Sequence, residues 1–558
     1  MLGLRVRGFY ALVKVASNGF NEDPIHFSLL VSRRMATSNV FLKASGLIDR
    51  LLCNPVAAKF AFSRRIRASI MLLQGHPYNA LRLLGEDRET KTLLVRARAL
   101  AFLGEYESAL AQAKAAGKPG MSLARQYASE IEVLTASPDD VGCATLAAEV
   151  QTKRVMHLLT NSLPFTNSGY TQRSHSVLKS LQESGWEVVA YTRIGYPWLV
   201  GILPAHDMNV VNSVTYRRLL PTTLPKTMSD RLDLQTEMLL EAVAEHEPTI
   251  MHTTTEFLNG RSVNEVARSS GIPWVYEVRG QLADTWLSGS QDRSRDSFRY
   301  LNFKSREAEI ASAADAVITL GSTMKDELVA AGVDANKILI CPNAVGDEFI
   351  DDMPNRQESR KALHLDVDAQ LIGTVSSIVG YEGLDLLVRS FARLVDQYPM
   401  LWLVIVGDGV ERTNLMKLAR DLGVFDRTVF PGRVEKSQAR LYHRALDVFV
   451  VPRRDLDVTR AVTPLKPVEA MAFEVPVVAT DLPALREIVT DGADGLLFEP
   501  GVQSDLTDKL RILLDDRELR VRMGQAGRKK VLETRTWAAN AERIDHLYGE
   551  LIGKAGED

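Results

Sequence analysis

The stretch TPLKPVEAMAFEVPVVAT, residues 463–480, combines the features of a helix start with a strand-like apolar run. Pro464 suits the first turn of a helix, because its missing N–H would have no partner there anyway. Lys466 and Glu469 follow in an otherwise apolar helix. A glutamate near a helix N-terminus is explained by capping, since it favours the helix dipole. The alternative is a ligand that both side chains bind.

Apolar strands alternate with helices on both sides of this stretch. One series of strands begins with RVMHLLT at residues 154–160, and a second begins with LIGTVSSIV at residues 371–379. Parallel sheets with helices on both faces produce this alternation. We therefore predict an α/β protein with two tandem Rossmann-like, doubly wound domains. Ligands bind at the carboxyl ends of such strands, so the site is expected in a cleft between the domains.

Residues 1–150 show helical spacing and almost no strand signal. Gly75 and Gly104 are each followed five residues later by Ala and then Leu, which resembles tetratricopeptide helix pairs. The predicted regions are a helical, tetratricopeptide-like domain (1–150), an N-terminal Rossmann-like domain on the acceptor side (151–345), a C-terminal Rossmann-like domain on the donor side (346–535) and a helix that crosses back (536–558). We also expect an irregular linker at 342–368 and continuous helices at 503–533 and 537–552.

Composition narrows the function classes. Residues 1–130 hold 19 Lys and Arg against 9 Asp and Glu, although the net charge of the 558 residues is −3. This basic region is a candidate surface for an anionic membrane or a partner protein, and a solvated helical surface is the alternative. Cys53, Cys143 and Cys341 lie too far apart to indicate a disulfide framework or a zinc site. Because we find no signal peptide or membrane-spanning run, we expect a cytoplasmic protein, with peripheral attachment to the inner membrane face as an alternative.

Glycines and charged residues follow several predicted strands. Gly169 precedes a helix whose free N–H groups can meet an anion, and the lack of GxGxxG argues against a nicotinamide dinucleotide. Glu277 and Arg279 end a buried strand, where charge is costly to bury without a partner. Gly407 and Gly409 follow another strand and permit close backbone approach. Without a ligand, an ion pair would explain Glu277 and Arg279, and a tight turn would explain Gly407 and Gly409.

Cations gather around the helix start at residues 463–480. Guanidinium and ammonium groups suit phosphate oxygens. The candidates are Arg433, Arg453, Arg454, Arg460 and Lys466. An ionised Glu469 is an acceptor only, so it can take two adjacent hydroxyls, as on a ribose. A diphosphate beside a ribose indicates a nucleotide sugar.

Longer motifs carry a family resemblance over about residues 153–550. They are residues 463–500, which begin with the stretch quoted above, CPNAVGDEF (341–349), YEGLDLLVRSF (381–391) and VIVGDGVE (404–411). The chain resembles the retaining glycosyltransferases of family 4, group 1, which have the GT-B fold. The resemblance implies a UDP- or GDP-linked sugar donor, a glycan or lipid-linked acceptor, and transfer with retention of the anomeric configuration. It implies no cofactor, no metal, no protein nucleophile and no nucleic acid partner.

The resemblance also assigns residues. It implies that Glu469 binds the donor ribose, that Gly169 lies near the diphosphate or the acceptor, and that the backbone at Pro464 and Leu465 faces the donor. The helix near Trp537 would cross back to the first domain.

The chain departs from the family pattern at three positions. Ala461 stands in place of the first motif glutamate, and Ser377 and Glu382 stand in place of the usual diphosphate-binding Arg and Lys. We therefore expect Lys466, Arg433 and one of Arg453, Arg454 and Arg460 to bind the diphosphate. Arg279, with Glu277, occupies the place of an active-site histidine and is expected to steady the leaving diphosphate or the acceptor. The predicted catalytic residues are Arg279, Glu277 and Lys466, and the predicted donor-binding residues are Gly169, Ser377, Gly407, Arg433, Arg453, Arg460, Pro464, Leu465, Lys466 and Glu469.

Two other functions stay open at this point. A nucleotide-sugar epimerase can share the two-domain architecture, although it needs acid–base groups around the sugar, and only 10 histidines are present. A non-catalytic scaffold with a degenerate transferase fold is suggested by Ala461. Retention of Lys466 and Glu469 argues against the scaffold.

Overall fold

The computed structural model describes residues 64–137, 152–351 and 353–555. The predictions for residues 1–63 and 138–151 lie outside this range. The described part begins with five helices: α1 (Arg64–Leu73), α2 (Pro77–Leu84), α3 (Thr90–Leu103), α4 (Tyr106–Ala115) and α5 (Met121–Thr135). Gly75 and Gly104 connect α1 to α2 and α3 to α4 with positive φ angles, and Ala80 and Ala109 are fully buried. The repeated glycine and alanine therefore mark two helical hairpins, while their tetratricopeptide character stays a prediction.

The first sheet has eight strands, which run from residue 154 to residue 340. They are β1 (Arg154–Leu159), β2 (Glu187–Thr192), β3 (Met208–Val211), β4 (Val214–Arg218), β5 (Ile250–Thr254), β6 (Trp274–Val278), β7 (Ala316–Thr319) and β8 (Ile338–Ile340). The strand order is β3-β4-β2-β1-β5-β6-β7-β8. β1 and β5 are parallel, with Val155 opposite Ile250, whereas β3 is antiparallel to β4. The associated helices are α6 (Gly169–Glu183), α7 (Met228–His246), α8 (Phe257–Ser270), α9 (Leu282–Ser288), α10 (Phe298–Ala313) and α11 (Ser322–Ala330).

The second sheet has six strands, and every strand pairing is parallel. They are β9 (Gln370–Val375), β10 (Leu401–Val406), β11 (Thr428–Gly432), β12 (Val448–Val451), β13 (Val477–Thr480) and β14 (Gly495–Phe498), in the order β11-β10-β9-β12-β13-β14. Neighbouring residues of β9 point to opposite faces, so that Leu371 enters one apolar core and Ile372 the other. Burial on both faces explains why these strands are almost wholly apolar.

Eleven helices accompany the second sheet in the described residues. They are α12 (Asp347–Ile350), α13 (Arg356–Ala362), α14 (Leu384–Leu394), α15 (Arg412–Asp421), α16 (Lys436–Ala445), α17 (Asp457–Ala461), α18 (Lys466–Ala472), α19 (Pro483–Arg486), α20 (Gln503–Asp515), α21 (Arg517–Thr534) and α22 (Trp537–Ala555). The predicted linker contains α12 and α13. The prediction of a single helix at 503–533 was wrong, because Asp516 separates α20 from α21. The side chain of Asp516 caps α21 by accepting a hydrogen bond from Leu519 N at 2.8 Å.

Contacts divide the chain into two compact units. The second unit holds residues 168–188, 275–281 and the chain from residue 315 onward. Every residue predicted for the site belongs to this second unit. No helix in the described ranges combines the length and apolar character that crossing a membrane requires.

Candidate functional site

Three loops meet at the carboxyl edge of the second sheet. Gly407 N donates to Gly432 O at 2.9 Å, and Ser376 N donates to Val406 O at 3.0 Å. A Cβ at Gly407 would lie 1.8 Å from Ser376 O, and one at Gly409 would lie 2.1 Å from a backbone oxygen of the same loop. Both glycines are therefore required by contact between protein backbones. Their presence is explained without a ligand.

The arginines predicted at this edge differ in their partners. Arg453 is buried and binds Glu382 with two hydrogen bonds, from Nε to Oε2 at 3.2 Å and from Nη2 to Oε1 at 2.9 Å. Arg454 pairs with Asp385 at 2.9 Å, and Arg460 pairs with Asp455 at the protein surface. Each of these positive charges is thus balanced by a neighbouring carboxylate.

Arg433, in contrast, is exposed and has no ion pair in the described ranges. It directly follows β11, and Ser377 is exposed at the loop that follows β9. Among the arginines predicted for the diphosphate, Arg433 is therefore the one whose charge is not balanced by a described neighbour.

Helix α18 carries the lysine and the glutamate of the opening motif. It begins at Lys466, so that Pro467 rather than Pro464 stands in the first turn. Glu469 is 6% exposed. Its Oε2 accepts a hydrogen bond from Lys466 Nζ at 2.7 Å and lies 3.1 Å from Nε2 of His443 in α16. Both contacts fall on Oε2, and in the described chain no protein group bonds Oε1.

The charge state of Glu469 follows from these contacts. Burial by itself would raise the pKa of Glu469, but the positive charge of Lys466 and the contact with His443 outweigh it and lower the pKa to about 2. Burial lowers the pKa of His443, so the imidazole is neutral near pH 7. The site thus holds an ionised carboxylate at physiological pH.

A second cluster of charges lies at the end of β6. Glu277 is fully buried between two buried arginines. Arg173 of α6 donates from Nη2 to Oε1 of Glu277 at 2.7 Å, while Arg279 donates to Oε2. Arg279 Nη1 also donates to Ser174 Oγ at 2.6 Å and to Tyr170 O at 3.2 Å. Burial lowers the pKa of Arg279. One carboxylate between two guanidinium groups leaves the cluster with a net positive charge.

Residues 462 and 463 connect Arg453 to the cluster of Arg173, Glu277 and Arg279. Arg453 Nη1 donates to Val462 O at 2.9 Å, and Asn343 Nδ2 donates to Thr463 O at 2.8 Å. The amide oxygen of Asn343 in turn accepts from Arg173 Nη1 at 3.2 Å. The side chains of Arg453 and Asn343 therefore hold the segment that leads into α18.

The start of α6 lies next to this segment. Ser168 caps the helix, and a Cβ at Gly169 would meet no atom within 4 Å. Tyr170 is 50% exposed. A Cβ at Gly280 would lie 2.8 Å from the Tyr170 hydroxyl and 3.9 Å from Val462. Unlike Gly407, Gly169 faces open space.

Two family models match the chain. The model for glycosyl transferases group 1 matches residues 355–530, and the model for a glycosyl transferase 4-like domain matches residues 168–344. The D-inositol 3-phosphate glycosyltransferase of Stackebrandtia nassauensis is 30% identical over 309 residues, which cover 53% of this chain and 67% of that protein. The chain belongs to the group 1 glycosyltransferases.

Two further proteins resemble this glycosyltransferase. A GDP-mannose-dependent alpha-(1-6)-phosphatidylinositol monomannoside mannosyltransferase of Mycobacterium tuberculosis is 31% identical over 245 residues, and the match covers 43% of this chain and 63% of that protein. The solved structure of sucrose-phosphate synthase from Thermosynechococcus elongatus aligns with a TM-score of 0.60 at 21% identity, over 72% of this chain and all of that chain. These neighbours confirm the predicted GT-B fold.

The predicted residues of this glycosyltransferase fall into two groups. Contacts through residues 462 and 463 connect Glu277, Arg279 and Arg453 to the segment that carries Pro464, Leu465, Lys466 and Glu469. Gly169 adjoins Tyr170, whose carbonyl contacts Arg279. Ser377, Gly407 and Arg433 lie on separate loops at the carboxyl edge, and Arg460 is engaged at the surface with Asp455.

Sequence reasoning missed three residues of the candidate site. Arg173 and His443 contact predicted residues directly, and Asn343 binds the backbone at Thr463, next to the predicted Pro464. Arg173 lies in the polar segment SGYTQRSHS (168–176), which gives no signal, whereas a polar residue beside apolar neighbours is a signal. His443, between Tyr442 and the apolar β12, is the clearest example.

Proposed function

We propose that this enzyme transfers a sugar from a UDP- or GDP-linked donor to a glycan or lipid-linked acceptor, with retention of the anomeric configuration. One observation carries the proposal. Glu469 is buried and ionised, its Oε2 is occupied by Lys466 and His443, and its Oε1 has no protein partner among the described residues. A carboxylate oxygen in this state accepts hydroxyl groups such as those of a ribose.

The cations suggest how the diphosphate is bound. Lys466 is partly exposed beside Glu469, and Arg433 is exposed without a described ion pair. Arg453, Arg454 and Arg460 are each balanced by a carboxylate, so we assign the diphosphate to Lys466 and Arg433. This assignment leaves out the third cation, one of Arg453, Arg454 and Arg460, that the sequence predicted for the diphosphate.

Arg279 is proposed to steady the leaving diphosphate or the acceptor. The net positive charge of the Arg173–Glu277–Arg279 cluster and its contact with the start of α6 support this role. Catalysis would then rest on positioning and on charge stabilisation of the departing group, without a metal or a protein nucleophile.

The experiment combines binding and turnover. Thermal unfolding and calorimetry with UDP, GDP and a panel of their sugars identify the donor, because a bound ligand raises the apparent stability. Transfer is then measured by NMR in EDTA, which reports the configuration of the new bond. Absence of binding by every nucleotide tested would refute the proposal. Conversion of a donor without any acceptor would favour an epimerase.

Gly169→Val is expected to reduce transfer at least about tenfold without changing the melting temperature. The new side chain has room at its base, because a Cβ at position 169 meets no atom within 4 Å. It would instead occupy space next to Tyr170 that we assign to the diphosphate or the acceptor. Initial rates and thermal unfolding check the prediction. Gly549→Val is the matched control, because Gly549 is exposed on α22 and equally open. Normal transfer by Gly169→Val would contradict the assignment.

Lys466→Ala is expected to weaken donor binding about tenfold at pH 8 and further at pH 5.5. Lys466 is the strongest cause that lowers the pKa of Glu469 to about 2, so its removal moves that pKa upward. A lowered pKa keeps the ionised form down to low pH, so binding by the parent protein stays constant between pH 8 and 5.5.

Calorimetry at both pH values measures this effect of Lys466→Ala. Among the described residues, His443 also faces Glu469, and burial lowers its pKa. Lys529→Ala serves as the control, since Lys529 is exposed on α21. Donor binding by Lys466→Ala as tight as that of the parent would remove Lys466 from the diphosphate site.

A further inference from the structure

His443 is a buried histidine that the proposed chemistry has not yet used. It belongs to α16 and is fully buried. Its ring stacks on Phe449 of β12 with the centroids 5.3 Å apart and the planes 23° apart. Nε2 lies 3.1 Å from Oε2 of Glu469, and within the described chain neither ring nitrogen makes a hydrogen bond of normal geometry.

The contribution of His443 to stability does not explain its presence. A buried polar atom without a partner costs free energy, and a leucine could pack against Phe449 without that cost. Most buried polar groups in folded proteins have partners, so an exception calls for a cause. The polar group that Nε2 contacts is the carboxylate of Glu469.

The geometry around Glu469 supplies that cause. Lys466 approaches Oε2 from within α18, and His443 approaches the same atom from α16. Lys466 donates a hydrogen bond to this oxygen, and the imidazole lies against it from the other helix. Contacts from two different helices restrict rotation of the carboxylate, and the other oxygen, Oε1, is left for a ligand.

We propose that His443 is a positioning residue that holds the Glu469 carboxylate so that Oε1 faces the hydroxyl groups of the nucleotide ribose. The inference rests on the proposed function and adds to it the atom that binds the ribose and the side chain that orients it. The lowered pKa of His443 agrees with a neutral imidazole beside the carboxylate.

The test compares His443→Leu with His443→Gln. Leucine removes the donor and fills the space, whereas glutamine keeps an N–H group near the position of Nε2. Dissociation constants for UDP and GDP are measured by calorimetry, and KM and kcat are measured for slow hydrolysis of UDP-glucose and GDP-mannose. Thermal unfolding is followed for each variant. His546→Gln is the control, because His546 is exposed on α22.

For His443→Leu we expect about a tenfold rise in the nucleotide dissociation constant and in KM, with kcat within about twofold of the parent. The melting temperature should not fall, because an unsatisfied buried nitrogen has been removed. His443→Gln should recover binding to within about threefold of the parent.

Three outcomes would overturn the inference. A lower kcat with an unchanged KM would indicate loss of folded enzyme, which is a structural role. Weaker binding that is accompanied by a lower melting temperature in both variants would also indicate a structural role for His443. Unchanged binding by His443→Leu, when Glu469→Ala weakens binding, would refute the positioning role alone. If Glu469→Ala itself binds nucleotide normally, the ribose contact of the proposed function fails together with the inference.

Discussion

Glu469→Gln is expected to lower kcat/KM for the sugar donor by about 100-fold. Lys466 donates to Oε2, so the amide oxygen of glutamine must turn toward the Lys466 ammonium group. The NH2 group then occupies the place of Oε1 and presents a donor where the ribose hydroxyls require an acceptor. The negative charge opposite Lys466 is also lost. Steady-state kinetics and calorimetry with the nucleotide measure the change.

The effect of Glu469→Gln should appear as weaker binding rather than as unfolding. Glu518→Gln is the matched control, because Glu518 is exposed on α21 and pairs only with Arg522 at 3.7 Å. A Glu469→Gln enzyme that binds and uses the donor like the parent would show that this carboxylate does not contact the ribose. The proposed function would then lose the observation that carries it.

Glu277→Gln is expected to lower the free energy of unfolding by about 3 kcal/mol or more, because breaking a buried ion pair leaves charge uncompensated. Glu277 is fully buried and binds Arg173 and Arg279, which are also buried. A neutral amide between two guanidinium groups leaves two buried positive charges without a counterion. Urea unfolding, analysed at a constant slope, measures the loss.

A double variant tests whether the loss of stability in Glu277→Gln comes from the lost charge. Adding Arg279→Met to Glu277→Gln removes one of the two unbalanced charges, so the double variant should be more stable than Glu277→Gln alone. Glu518→Gln again serves as the control, with a change within about 0.5 kcal/mol for a surface position. A Glu277→Gln protein as stable as the parent would show that the cluster is not held by charge.

Local pattern was sufficient to predict most elements of the fold. The apolar runs that contain β1, β9, β10 and β12 are bounded by loops and helices, and a buried parallel strand has this signature. The β3–β4 hairpin was missed because its strands are short and partly polar, and its turn depends on the positive φ angles of Asn212 and Ser213. Neither residue is a glycine, so the turn has no strong sequence signal.

The candidate site could be predicted in part. Lys466 and Glu469 stand three residues apart, and on a helix that spacing brings side chains together. The pairing of Arg453 with Glu382 could not be predicted, because 71 residues separate them in the chain. Glu382 neutralises Arg453 in this pair, and Arg453 is one of the cations that the sequence predicted to bind the diphosphate.

Residue order alone specified the periodicities, and with them the strands, the helices and the positions of charged residues at strand ends. These features depend on neighbours within a few residues, so they can be derived without coordinates. The choice of ionic partners depended on the folded chain. Arg173 and Glu277 are 104 residues apart, and their contact exists only because packing of the sheet and its helices buries both side chains together. Burial makes each unpaired charge costly, and the three-dimensional arrangement therefore determines which charges are neutralised and which remain available to a ligand.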